Sequence, residues 1–157
     1  MYAEPPYLEG PDDVADFVPG YRRQAAARPG FRVVVAGHGQ DVVGFSFGFF
    51  LPSDTGWWSN LTPAPAPEET LEIGSRTFAV IELAVREPWR RKGVARRMHA
   101  SLLEGLGAER VTLTVRPEPE AAPARPAYES WGYRVMGRTR PWEGAPVYDL
   151  MLRDGSG

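Results

Sequence analysis

The sequence predicts a single α/β domain, residues 1–157, with a mixed central sheet flanked by helices. A chain of 157 residues, 43% hydrophobic and 24% charged, has the size and balance of one ordinary globular domain. Its second half reads strand–helix–strand–helix–strand–strand, an order that gives a partly parallel sheet. Phe78–Val85 is apolar on both faces, which is typical of a central strand covered on both sides.

The first half of the chain predicts a helix, a β-hairpin and a long connection. Residues 1–10 are rich in proline and glycine, so we expect them to be loose and too short for a good first strand. Asp12 or Asp13 can cap a helix that Pro29 and Gly30 end. Two β-branched or alternating segments joined by a glycine-bearing turn predict the hairpin. The predicted elements are a helix over Val14–Ala27, strands Phe31–Ala36 and Val42–Leu51, and a proline-rich variable loop over residues 52–77 with a short strand Thr70–Ile73.

The second half of the chain alternates strands and helices. A helix follows Phe78–Val85, because apolar residues recur at helical spacing and form one stripe that we expect to be buried. The stripe consists of Val94, Ala95, Met98, Leu102, Leu103 and Leu106. The other predicted elements are the helices Val94–Leu106 and Ala122–Trp131 and the strands Arg110–Arg116, Gly132–Arg140 and Val147–Arg153.

The composition argues against several classes of site. The chain has no cysteine, which excludes disulfides, thiolate metal sites and a cysteine nucleophile. His38 and His99 are too few for a histidine-rich site, so we expect no metal. The longest apolar run, Gly44–Leu51, is too short to span a membrane, and the N-terminus does not resemble a signal peptide. We therefore expect a cytoplasmic protein, and the net charge of −2 argues against a general nucleic-acid binder.

Basic residues are concentrated between the apolar strand and the helix that follows it. They are Arg86, Arg90, Arg91, Lys92, Arg96 and Arg97. The amides of a glycine turn and of a helix's first turn can point at one anion, where the helix dipole adds about half a positive charge. Gly93 allows close approach of the backbone, and Ala95 keeps the next residue small. An ordinary turn with solvated arginines is the alternative, but the position between strand and helix favours a small anionic ligand.

The spacing Arg-x-x-Gly-x-Ala in this position resembles the acetyl-coenzyme A signature of the GNAT family of N-acetyltransferases. The resemblance covers about Phe78–Arg153, including the order of the elements. It implies acetyl-CoA as co-substrate, with the diphosphate on the turn amides and the pantetheine arm paired with the end of the preceding strand. The sheet is then expected to splay near that strand. The implied cofactor-binding residues are Leu83, Ala84, Val85, Arg90, Arg91, Lys92, Gly93, Val94 and Ala95.

Two residues are candidate catalytic groups by the same resemblance. Tyr128 lies in a segment similar to the family's Asn-x-x-Ala-x-x-x-Tyr motif, whose tyrosine protonates the departing thiolate, although Ala121 replaces the asparagine. Glu82 is the one charged residue inside Phe78–Val85, where family members commonly carry a glutamate. An amine with a pKa of about 10.4 is protonated at pH 7, so a base has a clear task. Alternatively, Tyr128 packs a short helix and Glu82 forms a structural ion pair with an arginine.

Other motifs favour structural roles. Gly-x-Ser-x-Gly around Ser46 fits a hydrolase nucleophile elbow, but no helix follows, so we interpret Ser46 as a small residue on a strand face. Trp57 and Trp58 either form an aromatic wall for the acceptor or pack their loop onto the sheet. His38 and His99 are expected to be structural or on the surface. The candidate partners of the coenzyme's 3′-phosphate are Arg86, Arg96 and Arg97.

Together with the resemblance, these features predict an acetyl-CoA-dependent N-acetyltransferase that works by direct attack in a ternary complex. The acceptor is a small-molecule or peptide amine, with a small molecule favoured. A non-catalytic acyl-CoA-binding sensor is the main alternative, and a nucleic-acid binder using the arginine cluster is a weaker one. No nucleic-acid or membrane partner is expected, and the oligomeric state stays open, with a homodimer among the options.

Overall fold

A computed structural model of the protein describes residues 8–9, 30–118 and 124–155. The predicted helix Val14–Ala27 and the start of the predicted helix Ala122–Trp131 lie outside the described residues. The strands within them are β1 Leu8–Glu9, β2 Arg32–His38, β3 Asp41–Phe50, β4 Thr77–Val85, β5 Arg110–Val115, β6 Arg134–Thr139 and β7 Tyr148–Asp154. The helices there are α1 Pro67–Thr70, α2 Val94–Leu103 and α3 Arg125–Ser130, with a 3₁₀ turn at Glu87–Trp89.

The chain divides into two compact units, and strand β4 contributes to both. The first unit consists of Met1–Phe50 and Val80–Leu106. Its strands have the order β1-β2-β3-β4, and α2 packs on β2 and β3. Strand β1 is only two residues long and pairs with Val35 and Ala36, in line with the weak first strand that the sequence predicts.

The antiparallel hairpin of β2 and β3 forms the core of the first unit. Val33, Val35 and Phe47 are buried together, and the ring of Phe31 stacks on that of Phe47 at 5.8 Å. Gly44 allows close packing at this point, because a Cβ there would lie 2.9 Å from the Ala84 carbonyl oxygen and 3.0 Å from Met98 Cε. The absence of a side chain at Gly44 thus brings β4 and α2 close to β3.

The second unit consists of Leu51–Ala79 and Gly107–Gly157, with the strand order β4-β5-β7-β6. β4 and β5 pair in parallel over Thr77–Ala79, whereas β7 pairs antiparallel with both β5 and β6. The sheet is therefore mixed, as predicted.

A buried polar network ties the long connection to the second unit's sheet. The Arg110 guanidinium donates to Glu72 at 3.0 Å and to the Thr77 hydroxyl at 2.8 Å. Trp58 is buried, its indole N–H donates to the same Glu72 carboxylate, and Arg110 lies over its ring at 4.8 Å. Because the buried charges are paired, residues predicted as a variable loop hold a fixed conformation.

Three sequence predictions about individual elements are wrong. The segment predicted as strand Thr70–Ile73 instead follows a short helix, because Pro67 begins a helical turn and the Glu69 side chain accepts the Ala66 amide hydrogen. Helix α2 ends at Leu103, three residues early, before Gly105 with φ +70°. β4 is buried only from Thr77 to Val80 and is exposed or half-buried from Ile81 to Val85. An apolar run does not distinguish a strand covered by protein from one that lines an open site.

Candidate active site

The turn between β4 and α2 has the backbone geometry of an anion-binding nest. Arg91 has φ +63° and Gly93, the N-cap of α2, has φ +81°, while Lys92 between them does not have a positive φ. Alternation of left-handed and ordinary backbone makes successive amide groups converge on one side of a turn. A left-handed conformation suits glycine but is uncommon for arginine. The sequence pattern revealed the glycine and missed the strained arginine.

The amides of this turn are available for a ligand. From Arg91 to Ala95, no backbone N–H donates to an acceptor among the described residues, and the first helical bond runs from Arg97 N to Gly93 O at 3.1 Å. Residues Arg91, Lys92 and Gly93 are exposed, and Val94 and Ala95 are half-buried. Five consecutive donors at the start of a ten-residue helix thus have no acceptor in this part of the chain, which fits a diphosphate.

The electrostatics of the turn also fit a multiply charged anion. Within the described part of the chain, Arg91, Lys92, Arg96 and Arg97 form no ion pair, and the first turn of α2 contains no acidic residue. The helix dipole adds to this positive field. Arg96 and Arg97 are exposed neighbours that point to different sides of the helix, so they cannot both contact one phosphate.

Arg90 holds the turn against the end of β4. Its side-chain Nε donates to the Val85 carbonyl oxygen at 2.9 Å, and its amide donates to Glu87 O. On the other side, the Trp89 ring lies 4.7 Å from that of His38 in the β2–β3 turn. These contacts hold Arg90 beside the amides of Arg91–Ala95, which we call the amide cradle. They also give His38 a structural contact, as expected. Arg86 adds a further link, because its amide donates to Val43 O at 2.8 Å.

The predicted pantetheine strand ends in three half-buried residues, Leu83, Ala84 and Val85. On the neighbouring strand β3, Ser46 is fully buried and its hydroxyl donates to the Glu82 carbonyl at 2.7 Å. Ser46 therefore lies on a strand, as interpreted from the sequence, and not on a nucleophile elbow.

The side chain of Glu82 is exposed, which corrects the expectation that its apolar neighbours surround it. It forms no ion pair with any other described residue, so the structural alternative of an arginine partner has no support in this part of the chain. An accessible carboxylate on the strand next to the cradle can accept a proton from solvent or from a bound amine.

Tyr128 belongs to the second unit, on helix α3, and its ring is buried. It contacts Trp131 and Tyr133 edge to face, with ring centroids 5.7 Å and 5.8 Å away. Burial raises the pKa of Tyr133 above its ordinary value, and the neighbouring Tyr128 raises it further, against the lowering effect of Arg153. Tyr128 thus packs its helix, as in one alternative, and packing is compatible with proton donation. Ala121, the departure from the family motif, lies outside the described residues.

An ion-pair cluster that the sequence did not predict anchors helix α3. Asp149 of β7 is buried and accepts bonds from Arg125 Nη1 at 2.5 Å and from Arg138 Nε at 3.2 Å. The hydrogen bond with Asp149 is the main reason why the pKa of Arg125 is raised. An acidic residue at an inward position of an apolar strand was the one available signal in the sequence.

The two tryptophans and His99 have structural contacts. Trp58 is buried, and the half-buried Trp57 donates from its indole nitrogen to Thr112 Oγ1 at 3.3 Å. Both contacts support the interpretation that their loop packs on the sheet of the second unit. His99 is buried on α2 together with Met98 and Leu102, so the predicted apolar stripe of this helix includes an imidazole.

The fold and the turn define a mixed α/β protein with an anion-binding turn at a helix N-terminus, and comparison with known proteins specifies the family. The model of the acetyltransferase (GNAT) family matches residues 2–133, so the chain belongs to the GNAT family. The family implies acyl transfer from an acyl-CoA, and its acetyltransferases act on amine acceptors. No curated protein sequence is significantly similar to the chain.

Solved structures confirm the predicted α/β fold. Arabidopsis thaliana NAA60 in complex with acetyl-CoA superposes with a TM-score of 0.63 at 14% identity, covering 96% of this chain and 98% of that one. A GNAT-family protein from Desulfovibrio desulfuricans superposes with a TM-score of 0.61 at 18% identity, covering 92% of this chain and 80% of that one. An aminoglycoside 6′-acetyltransferase type Ii superposes with a TM-score of 0.58 at 16% identity, covering 92% of this chain and 81% of that one. At these identities the likeness concerns the fold alone.

Two kinds of feature are absent from the described residues. No helix among them is long and apolar enough to cross a membrane. No group of three or more histidine and acidic side chains in the same part of the chain is arranged to hold a metal ion.

Proposed function

We propose that the protein transfers an acetyl group from acetyl-CoA to an amine by direct attack within a ternary complex. The observation that carries this proposal is the row of five amides, from Arg91 to Ala95 at the start of α2, that have no acceptor among the described residues. A diphosphate supplies several acceptor oxygens at close spacing, which matches such a row better than a single carboxylate does. Bound there, the coenzyme leads its pantetheine arm along Leu83–Val85.

The chain's own residues supply the remaining chemistry. The amine nitrogen attacks the thioester carbonyl carbon, a C–N bond forms, and the C–S bond then breaks to release coenzyme A thiolate. A strand amide near Leu83 or Ala84 stabilises the negative charge on the carbonyl oxygen. Glu82 takes the proton that the amine loses, directly or through water, and Tyr128 donates a proton to the thiolate. The products are an amide and free coenzyme A, so protons and electrons balance.

The acceptor that we favour is a small-molecule amine. The exposed carboxylate of Glu82 attracts a cationic amine. The related folds include an aminoglycoside acetyltransferase and NAA60, so both a small molecule and a peptide N-terminus are reasonable members of a test panel.

The main rival is an acyl-CoA sensor that binds without transferring the acyl group. It shares the amide cradle and accounts for the replacement of the family's asparagine by Ala121. The presence of both Glu82 and Tyr128 favours the enzyme, because a sensor has no need for a base and an acid at these positions.

Thiol release distinguishes the two functions. The chain contains no cysteine, so a thiol reagent reports only coenzyme A freed from acetyl-CoA. We expect release that depends on an added amine, from a panel of aminoglycosides, polyamines, amino acids and short peptides, with the acetylated product identified by mass spectrometry. Coenzyme binding by calorimetry without release for any amine would indicate the sensor, and no binding at all would reject both.

A further inference from the structure

We infer that Ser46 is a positioning residue, whose hydroxyl fixes the peptide between Glu82 and Leu83 so that the Leu83 N–H is the donor to the thioester carbonyl. This inference rests on the proposed function and deepens it. Ser46 is fully buried on β3, and its hydroxyl donates to the Glu82 carbonyl at 2.7 Å. A carbonyl has no hydrogen to donate, so the direction of this bond is certain.

The bond shows which way the Glu82 carbonyl points. Neighbouring strands lie about 4.8 Å apart, so a side chain on β3 cannot reach an oxygen on the far edge of β4. Two further contacts agree: the Arg86 amide donates to Val43 O at 2.8 Å, and a Cβ on Gly44 would lie 2.9 Å from Ala84 O. The backbone groups of β4 at these alternate positions therefore face β3.

The backbone groups of Leu83, which lies between Glu82 and Ala84, face the opposite way. In a trans peptide the carbonyl of one residue and the N–H of the next point in opposite directions, so the Leu83 N–H leaves β4 at the edge away from β3. Val85 shares that edge, and its carbonyl accepts the Arg90 Nε at 2.9 Å. The Leu83 N–H therefore points to the edge of β4 away from β3, whereas the amide of Ala84 is turned toward β3.

The Ser46 bond lies in a part of the β3–β4 ladder where the register changes. Leu51 N donates to Thr77 O, and Arg86 N donates to Val43 O. From Val43 to Leu51 is a step of eight residues, whereas from Thr77 to Arg86 is a step of nine, so β4 contains one extra residue, a β-bulge. Within this stretch the Ser46 hydroxyl adds a side-chain bond to Glu82 O.

Infrared spectroscopy of bound acetyl-CoA, labelled with carbon-13 at the carbonyl, tests the inference. A hydrogen bond to the carbonyl lowers its stretching frequency, so we expect a lowered band in the wild-type complex and a return toward the free value in Ser46→Ala. The dissociation constant of coenzyme A, which lacks the carbonyl, should change less than about twofold and also shows that the variant is folded. Removal of a donor to the developing oxyanion lowers kcat roughly 10²–10³-fold. A donor that is present but poorly aligned should lower it less, so we expect kcat to fall about tenfold in Ser46→Ala.

Thr112→Val is the matched control. Like Ser46→Ala, it removes a buried hydroxyl that donates to a backbone carbonyl of a neighbouring strand, here Met151 O at 2.9 Å. We expect this variant to leave the infrared band of the acetyl-CoA carbonyl unchanged. A lowered band that persists in Ser46→Ala would overturn the role of Ser46 while leaving acetyl transfer intact. An unshifted band in a wild-type protein that does transfer acetyl would overturn the Leu83 donor. A wild-type protein that binds no acetyl-CoA would overturn the proposed function as well.

Discussion

Substitution of Gly93 tests whether the amide cradle binds the coenzyme. Gly93 has φ +81°, and a Cβ at this position would lie within 4 Å of no atom of the described residues. Gly93→Ala therefore introduces no steric clash in the protein, and its whole effect is the conformational strain of a left-handed alanine. That strain amounts to about 1–2 kcal/mol.

The same strain limits the loss of affinity. In the free variant the turn can relax, because Arg91–Gly93 are exposed, and the amides of Gly93 and Val94 then lose their common direction. The ligand can restore the original turn at the expense of the strain, so binding should weaken by no more than about 1–2 kcal/mol. This corresponds to a roughly 5- to 30-fold higher Kd for coenzyme A, measured by isothermal titration calorimetry.

Gly105→Ala is the matched control. Gly105 also has a left-handed φ of +70° with no atom within 4 Å of an added Cβ, and it lies just after the other end of α2. We expect the two variants to have similar free energies of unfolding, and only Gly93→Ala to bind coenzyme A more weakly. Equal Kd values for the two variants would refute the assignment of the turn. A loss beyond about 100-fold for Gly93→Ala would refute the argument from strain, since it requires a direct clash with the ligand.

Three further substitutions test single side chains. Tyr128→Phe should lower kcat by about 10²-fold at unchanged coenzyme Kd, with Tyr148→Phe as control, and an unchanged kcat would remove the proton-donor role. Glu82→Gln should abolish the acidic limb of the kcat–pH profile, and a variant that keeps this limb excludes Glu82 as the base. Burial raises the pKa of Tyr133 in the folded protein, so the folded state keeps the phenol proton longer than the unfolded state as pH rises above about 10. Stability should thus fall there by up to about 1.4 kcal/mol per pH unit, and urea unfolding of Tyr133→Phe should show a shallower fall.

Much of the fold was predictable because local patterns decide it. The hairpin β2–β3, strand β5 and helix α2 follow from alternation and helical spacing, and the structure places them within three residues of the predicted bounds. Helix α1 was not predicted, although Pro67 and the two glutamates after it are residues that favour the start of a helix. The fixed conformation around Trp58 depends on a long-range bond to Glu72 and on Arg110, which no local pattern reveals.

The candidate site was predictable to the extent that it consists of backbone. A glycine before an amphipathic helix is visible in a sequence, and the amides that it orients need no particular side chains. The support of Tyr128 was not predictable, since Asp149 and Arg125 are 24 residues apart in the chain and meet only in the folded second unit. The exposure of Glu82 was not predictable either, because a strand that lines an open site has the same apolar pattern as a covered one.

The two left-handed residues of the turn, Arg91 and Gly93, accommodate the same backbone conformation differently. Both adopt a backbone conformation that is unfavourable by about 1–2 kcal/mol for a residue with a Cβ. At Gly93 the cap of α2 must keep the adjoining amides together, and glycine removes the strain. At Arg91, which follows the motif's Arg90, the strain is tolerated beside the same cradle, where a permanent positive charge attracts a diphosphate. Arg91 thus combines conformational strain with electrostatic attraction, which is consistent with a turn whose conformation is maintained for an anion.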